Sequence, residues 1–178
     1  MPINKTILSK YKNDVFVESG SHIGRSIDVA LECGFKEIHS IELSSKYFDY
    51  CSKKYFGNQK VHLYLGDSSE VLKFVLPKVK DRNKTIWFDG HFSGSDTACG
   101  NKYSPLMEEL EIIKYYYKKN DILMIDDLRC WVKGEHCDFD VNDIKEKLLQ
   151  INGNFEFIYE DSYQGDILLF QRDILIAK

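Results

Sequence analysis

Strand-like and helix-like segments alternate along most of this chain, and no other feature narrows its fold as far. Apolar, β-branched or aromatic runs at Val15–Val17, Ile38–Leu43, Val61–Leu65, Thr85–Phe88 and Ile122–Ile125 read as strands. Helical spacing fills the gaps at Ser26–Cys33, Ser44–Phe56, Ser68–Leu76 and Pro105–Lys118, with Val141–Ile151 after the fifth run. Ser44 and Ser68 suit N-cap positions, and Pro105 suits a first helical position. Parallel neighbours need a crossover and the crossover is usually a helix, so the pattern predicts a doubly wound α/β fold with a mostly parallel sheet. Two further runs, Phe155–Tyr159 and Ile167–Phe170, are separated only by "EDSYQGD", too short for a helix. They should form an antiparallel hairpin at one edge and bring the sheet to seven strands. No Gly, Ser and Pro linker interrupts the 178 residues, so one domain over 1–178 is expected.

Composition removes several function classes. Net charge is −4 and the lysines are scattered among acids, so no basic stripe marks a nucleic-acid partner. The opening "MPINKTILSKYKND" lacks the apolar core of a signal peptide, and no apolar run is long enough to span a bilayer. The five cysteines Cys33, Cys51, Cys99, Cys130 and Cys137 include no Cys-x-x-Cys pair, which suits reduced thiols. A cytoplasmic protein with no membrane partner is the expectation.

In an open parallel sheet, ligands bind beyond the carboxyl ends of the strands. Those ends are acidic here: Glu18, Glu42, Asp67 in "GDSSE", Asp89 in "FDGH", and Asp126 with Asp127 in "IDD". One such acid is an ordinary turn residue or helix cap. Five strand ends together, beside a glycine loop "ESGSHIGRS" that opens the first helix, exceed what surface composition supplies. The spacing is not the Gly-x-Gly-x-x-Gly that seats a pyrophosphate on a helix N-terminus, because His22 and Arg25 interrupt it. Glu18 would repel a pyrophosphate and attract an ammonium group. Glu42, ending the second strand, can accept hydrogen bonds from two ribose hydroxyls. A ligand with a ribose, an adenine and an ammonium but no phosphate is S-adenosylmethionine.

On these residues the chain resembles the class I S-adenosylmethionine-dependent methyltransferases, whose fold is Rossmann-like with an antiparallel terminal hairpin. The resemblance runs from "VFVESGSHIGRS" through "IHSIELS", "VHLYLGDSSEVL" and "TIWFDGHFSG" to "DILMIDD". It implies cofactor contacts from Glu18, Gly20, Ser21, His22 and Gly24 in the first loop, from Glu42 and Leu43, from Asp67 and Ser68 beside the adenine, and from Asp89. The Gly20-Ser21-His22 variant of the loop is similar to that of small O-methyltransferases. Asp89, Asp126 and Asp127 resemble the metal positions of catechol-type and sugar-modifying O-methyltransferases.

Methyl transfer to a hydroxyl requires alignment of the acceptor and help with its high pKa. Mg²⁺ held by Asp89, Asp126 and Asp127 would supply both. A metal-free site, with Asp126 bonding a loop and Asp127 solvated, stays open beside it. His91, two residues past Asp89, is the candidate general base, with Asp89 in the same catalytic group. His22 is expected to shape its loop, and the His136-Cys137 pair fits no common zinc spacing with Cys99 or Cys130. Two connections, Gly90–Ser104 and Leu128–Asp140, are long enough to enclose an acceptor, with Phe92, Tyr103 and Trp131 as an aromatic wall or Trp131 as an anchor. Only about a dozen residues precede the first strand, so either these loops or a second subunit of a homodimer completes the acceptor pocket. The expected activity is transfer to a hydroxyl of a small molecule or sugar-containing metabolite. Metal-independent N- or O-methylation, and a non-catalytic nucleotide- or cofactor-binding module, are the alternatives.

Overall fold

The computed structural model describes residues 3–92, 94, 98, 100, 102–164 and 167–178, with only the backbone of Gln164. Cys99 and, within the Gly90–Ser104 segment, positions 93, 95–97 and 101 lie outside these residues. Seven strands form one sheet in the order β3-β2-β1-β4-β5-β7-β6. They are β1 (Val15–Ser19), β2 (Glu37–Glu42), β3 (Val61–Leu65), β4 (Lys84–Phe88), β5 (Ile122–Ile125), β6 (Phe157–Gln164) and β7 (Ile167–Ala177). Strands β1 to β5 pair in parallel. β7 runs antiparallel to both β5 and β6, which is the hairpin expected from the short connection.

Alternation along the buried strands sorts their side chains into two cores. Val15, Val17, Ile41, Ile86, Phe88 and Ile125 face α4 (Ser68–Val79), α5 (Leu106–Tyr116) and α6 (Val141–Ile151). Phe16, Ile38, Trp87, Met124 and Ile176 face the other way, toward α1 (Lys5–Lys10), α2 (Arg25–Glu32) and α3 (Ser45–Lys54). α4 buries Leu72, Val75, Leu76 and Val79 at helical spacing, which packs it across the sheet and holds its N-terminus at the strand ends.

Local chemistry accounts for the differences from the sequence reading. α4 is capped by Asp67, whose carboxylate accepts from the Ser69 N–H at 2.9 Å, and Ser68 is already helical. Ser44 occupies its N-cap position without a side-chain bond, and Pro105 stands just before its helix rather than inside it. A short helix, α1, precedes β1 where no element was expected; Asn4 caps it by accepting from Ile7 N–H at 2.9 Å, and Ile7 and Leu8 are buried. Both hairpin strands are longer than expected: β6 starts at Phe157 rather than Phe155 but absorbs the polar "EDSYQ", and β7 continues past Phe170 through "QRDILIA". The connection after β5 contains a 3₁₀ turn at Leu128–Cys130. Among the described residues, no helix is long and apolar enough to cross a membrane.

Candidate active site

The loop from Ser19 to Arg25 is shaped by the backbone at the top of β1. Gly20 N–H donates to the Ile41 carbonyl at 2.9 Å and Asp89 N–H to the Ser19 carbonyl at 3.1 Å, extending the parallel pairing past the strand ends. Gly20 has φ 91°, and a Cβ there would run into the Asp89 carbonyl, so the position demands glycine. Gly24, also left-handed at φ 75°, starts α2 against the Tyr55 hydroxyl, which donates to its carbonyl at 2.5 Å.

The Glu42 carboxylate holds this loop from the neighbouring strand. It accepts from His22 N–H at 2.7 Å and from Ser44 N–H at 2.8 Å, so each oxygen is oriented and keeps a lone pair for another donor. His22 adopts φ 45°, and its ring lies tilted against that of Tyr47 with the centroids 4.2 Å apart. Glu18 lies deeper. It is fully buried beneath the loop, accepts from Ser40 Oγ at 2.6 Å, and has its pKa pushed up to about 7 by burial.

A cavity of about 640 Å³ opens above the strand ends. The cofactor-loop residues Gly20, Ser21 and His22 line it, as do Glu42, Leu43, Asp67, Ser68 and Asp89, whereas Glu18, Gly24 and Asp126 lie outside its wall. Its other side is formed by His91, Phe92, Tyr103, Asp127 and Arg129. Of the expected aromatic wall, Trp131 is instead the anchor: it is 4% exposed, donates from Nε1 to the Asp126 carbonyl at 3.0 Å, and stacks on Phe139.

Oxygens of Asp89, Asp126 and Asp127 lie within 4.8 Å of one another. Burial, reinforced by the neighbouring carboxylates, raises the pKa values of Asp89 and Asp126. An all-oxygen set of three crowded carboxyls fits a hard divalent cation, which would relieve that repulsion. Asp127 sits in the left-handed region at φ 55°, a position that Asp tolerates better than most residues. Its carboxylate is 3.2 Å from His91 Nε2 and 2.5 Å from the Arg129 guanidinium. Arg129 also pairs with Asp173 of β7, a buried acid that accepts from Ser162 Oγ at 3.2 Å and from Arg129 N–H at 3.1 Å. The hairpin thereby braces the loop that carries Asp127. Arg129 and Asp173 were absent from the sequence reading, although an acid inside the apolar run "RDILI" is a signal of a buried polar role.

His91 is 8% exposed. Burial lowers its pKa, with Asp127 opposing the effect, so the ring is neutral near pH 7. The Asp127 carboxylate can only accept, which favours the proton on Nε2. Nδ1 is then the basic atom; it is buried without a hydrogen-bond partner, 3.9 Å from Asp89 Oδ1.

Solved structures share the fold over nearly the whole chain. A Podospora anserina methyltransferase, PaMTH1, bound to SAH, superposes over 98% of this chain and 75% of its own at TM-score 0.66 and 15% identity. The fold is that of the class I methyltransferases. The Bacillus cereus O-methyltransferase in complex with SAH has the same methyltransferase fold, covering 97% of this chain and 77% of its own at TM-score 0.64 and 12% identity. So does TomG of Streptomyces achromogenes, an O-methyltransferase in complex with SAM that is involved in tomaymycin synthesis, over 97% of this chain and 76% of its own at TM-score 0.63 and 12% identity. No protein-family model and no curated protein matches the sequence.

Proposed function

We propose that this chain is an S-adenosylmethionine-dependent methyltransferase that methylates a hydroxyl of a small-molecule or sugar-containing acceptor with the help of Mg²⁺. The observation that carries the reading is a single continuous cavity with Glu42 and the glycine loop on one side and His91 with Asp127 on the other. Its volume of about 640 Å³ is in the range of small-ligand and cofactor sites.

Glu42 would accept the ribose hydroxyls through its free lone pairs, and the Asp67–Ser68 turn would flank the adenine. Gly20 keeps the loop low enough for the methionyl part to lie against the backbone. Asp89, Asp126 and Asp127 would hold Mg²⁺, which would lower the pKa of an acceptor hydroxyl and orient it. His91 Nδ1 takes the proton as the oxygen attacks the sulfonium methyl in line and the S–CH₃ bond breaks, its electron pair returning to sulfur as S-adenosylhomocysteine leaves. Asp127 holds the ring in the required tautomer. Phe92 and Tyr103 shield the acceptor side from water.

A metal-independent version of the same reaction has one observation in its favour, the 2.5 Å pairing of Asp127 with Arg129, which already neutralises that carboxylate. Calorimetric binding of S-adenosylhomocysteine, with NAD as comparator, tests the cofactor site. Release of S-adenosylhomocysteine over a panel of hydroxyl and amine acceptors, with Mg²⁺ or with chelator, tests the rest. Activity on hydroxyls that chelator abolishes supports the Mg²⁺ reading, full activity in chelator selects the metal-independent one, and failure to bind the cofactor ends both.

A further inference from the structure

At the opposite ends of the strands from the cavity, two histidines and a glutamate meet on the α4 face of the sheet. His39 of β2 and His62 of β3 are register partners on adjacent strands, with rings stacked at 4.9 Å between centroids. Glu37 stands two residues before His39, on the same face by strand alternation. Its Oε1 lies 2.8 Å from His39 Nε2 and 3.7 Å from His62 Nε2, and ligand atoms of all three residues lie within 4.8 Å of one another. We infer that Glu37, His39 and His62 form a binding site for Zn²⁺, separate from the carboxylates of the cavity.

Tetrahedral zinc with bonds of about 2.0–2.2 Å needs its ligand atoms roughly 3.3 Å apart, and the two Glu37 distances fall on either side of that spacing. Two imidazole nitrogens with one carboxylate is a donor set suited to zinc and poorly suited to Mg²⁺. The surroundings fix the ligands. Arg82 pairs with Glu37 through Oε2, leaving Oε1 turned toward the histidines. Tyr64 Oη is 2.9 Å from His39 Nδ1. Without metal, His39 Nε2–H donates to the Glu37 carboxylate, which can only accept, and the Tyr64 hydroxyl donates to Nδ1. Ligation through Nε2 needs the other tautomer, and the same hydroxyl meets it by turning from donor to acceptor. His39 is buried and rigid, whereas the His62 side chain is 43% exposed, so it can swing out of its stack to close on the ion from solvent. Arg82, and Lys78 over the Tyr64 ring, add positive charge nearby and hold the affinity below that of a closed structural site.

The test is calorimetric titration of the folded, metal-free protein with Zn²⁺ under excess Mg²⁺, alongside Co²⁺ titration read by its visible absorption. One equivalent of zinc should bind, with a Co²⁺ band characteristic of imidazole ligation. His62→Ala should weaken that equivalent about 100-fold, and His62→Gln and Tyr64→Phe about tenfold, with circular dichroism unchanged. Asp127→Ala should retain it. Absence of binding to the wild-type protein, or binding that survives His62→Ala and disappears in Asp127→Ala, overturns the assignment.

Discussion

His91 Nε2 and Asp127 Oδ2 stand 3.2 Å apart at the cavity wall, both side chains no more than 5% exposed. The carboxylate orients the ring and leaves Nδ1 as its basic atom, the arrangement on which the proposed role of His91 as proton acceptor rests. His91→Ala is expected to lower turnover by about 10²–10⁴-fold. S-adenosylhomocysteine affinity should change little. Initial rates with an acceptor identified from the panel, set against calorimetry on the same variant, check both halves. Unchanged turnover would remove His91 from the chemistry and leave deprotonation to the metal site.

Glu42 binds two backbone N–H groups of the surrounding loops while lining the cavity. Glu42→Gln replaces one accepting oxygen by an amide that cannot accept, so a loop contact is lost together with the ribose contact that the proposed reading assigns to this carboxylate. Cofactor affinity should fall at least about tenfold, or about 1.4 kcal/mol. Calorimetry with S-adenosylhomocysteine measures it, and unaltered affinity would place the ribose elsewhere.

The parallel part of the fold was legible because each strand carries an apolar run that must be covered on both faces, and each crossover shows helical spacing. The acids were legible for the same reason: strand ends are identifiable, and Glu42, Asp67, Asp89 and Asp127 do reach one cavity. What escaped depends on packing between distant segments. α1 is held by a local cap and two buried residues within a polar stretch too short to show periodicity. The bracing of Arg129 by Asp173 joins segments 44 residues apart, a juxtaposition that only the β5–β7 pairing creates. The depth of Glu18 follows from its side-chain direction under the loop, which its place at a strand end does not reveal.

Lys84 and Asp121 form a buried ion pair at the start of β4, Nζ to Oδ2 2.6 Å, both side chains no more than 1% exposed. Asp121 also accepts from the Lys84 and Lys118 backbone N–H groups at 2.8 and 2.9 Å. Lys84→Met removes the cation and leaves a buried carboxylate, which should cost about 3–5 kcal/mol. Adding Asp121→Asn should recover part of the loss, since the amide oxygen still accepts from a backbone N–H. Urea unfolding of the single and double variants measures the difference, and a cost below about 1 kcal/mol for Lys84→Met would show that the pair contributes little.

Glu109 projects from α5 into the top of the sheet, 1% exposed, with its pKa pushed up to about 7 by burial; the nearby Ser68 and Ser19 hydroxyls offset that only in part. An acid whose pKa is higher folded than unfolded binds more protons in the native state. Its contribution to stability is therefore complete below about pH 4.5, declines as pH rises, and is gone once pH passes about 7. Glu109→Gln cannot ionise, so it should be more stable than the wild type by on the order of 2 kcal/mol at pH 8 and close to it at pH 4.5. Thermal or urea unfolding across that range gives the comparison. A difference that does not vary with pH would mean that the Glu109 carboxyl keeps its ordinary pKa in the folded protein, with water reaching it through the cavity above.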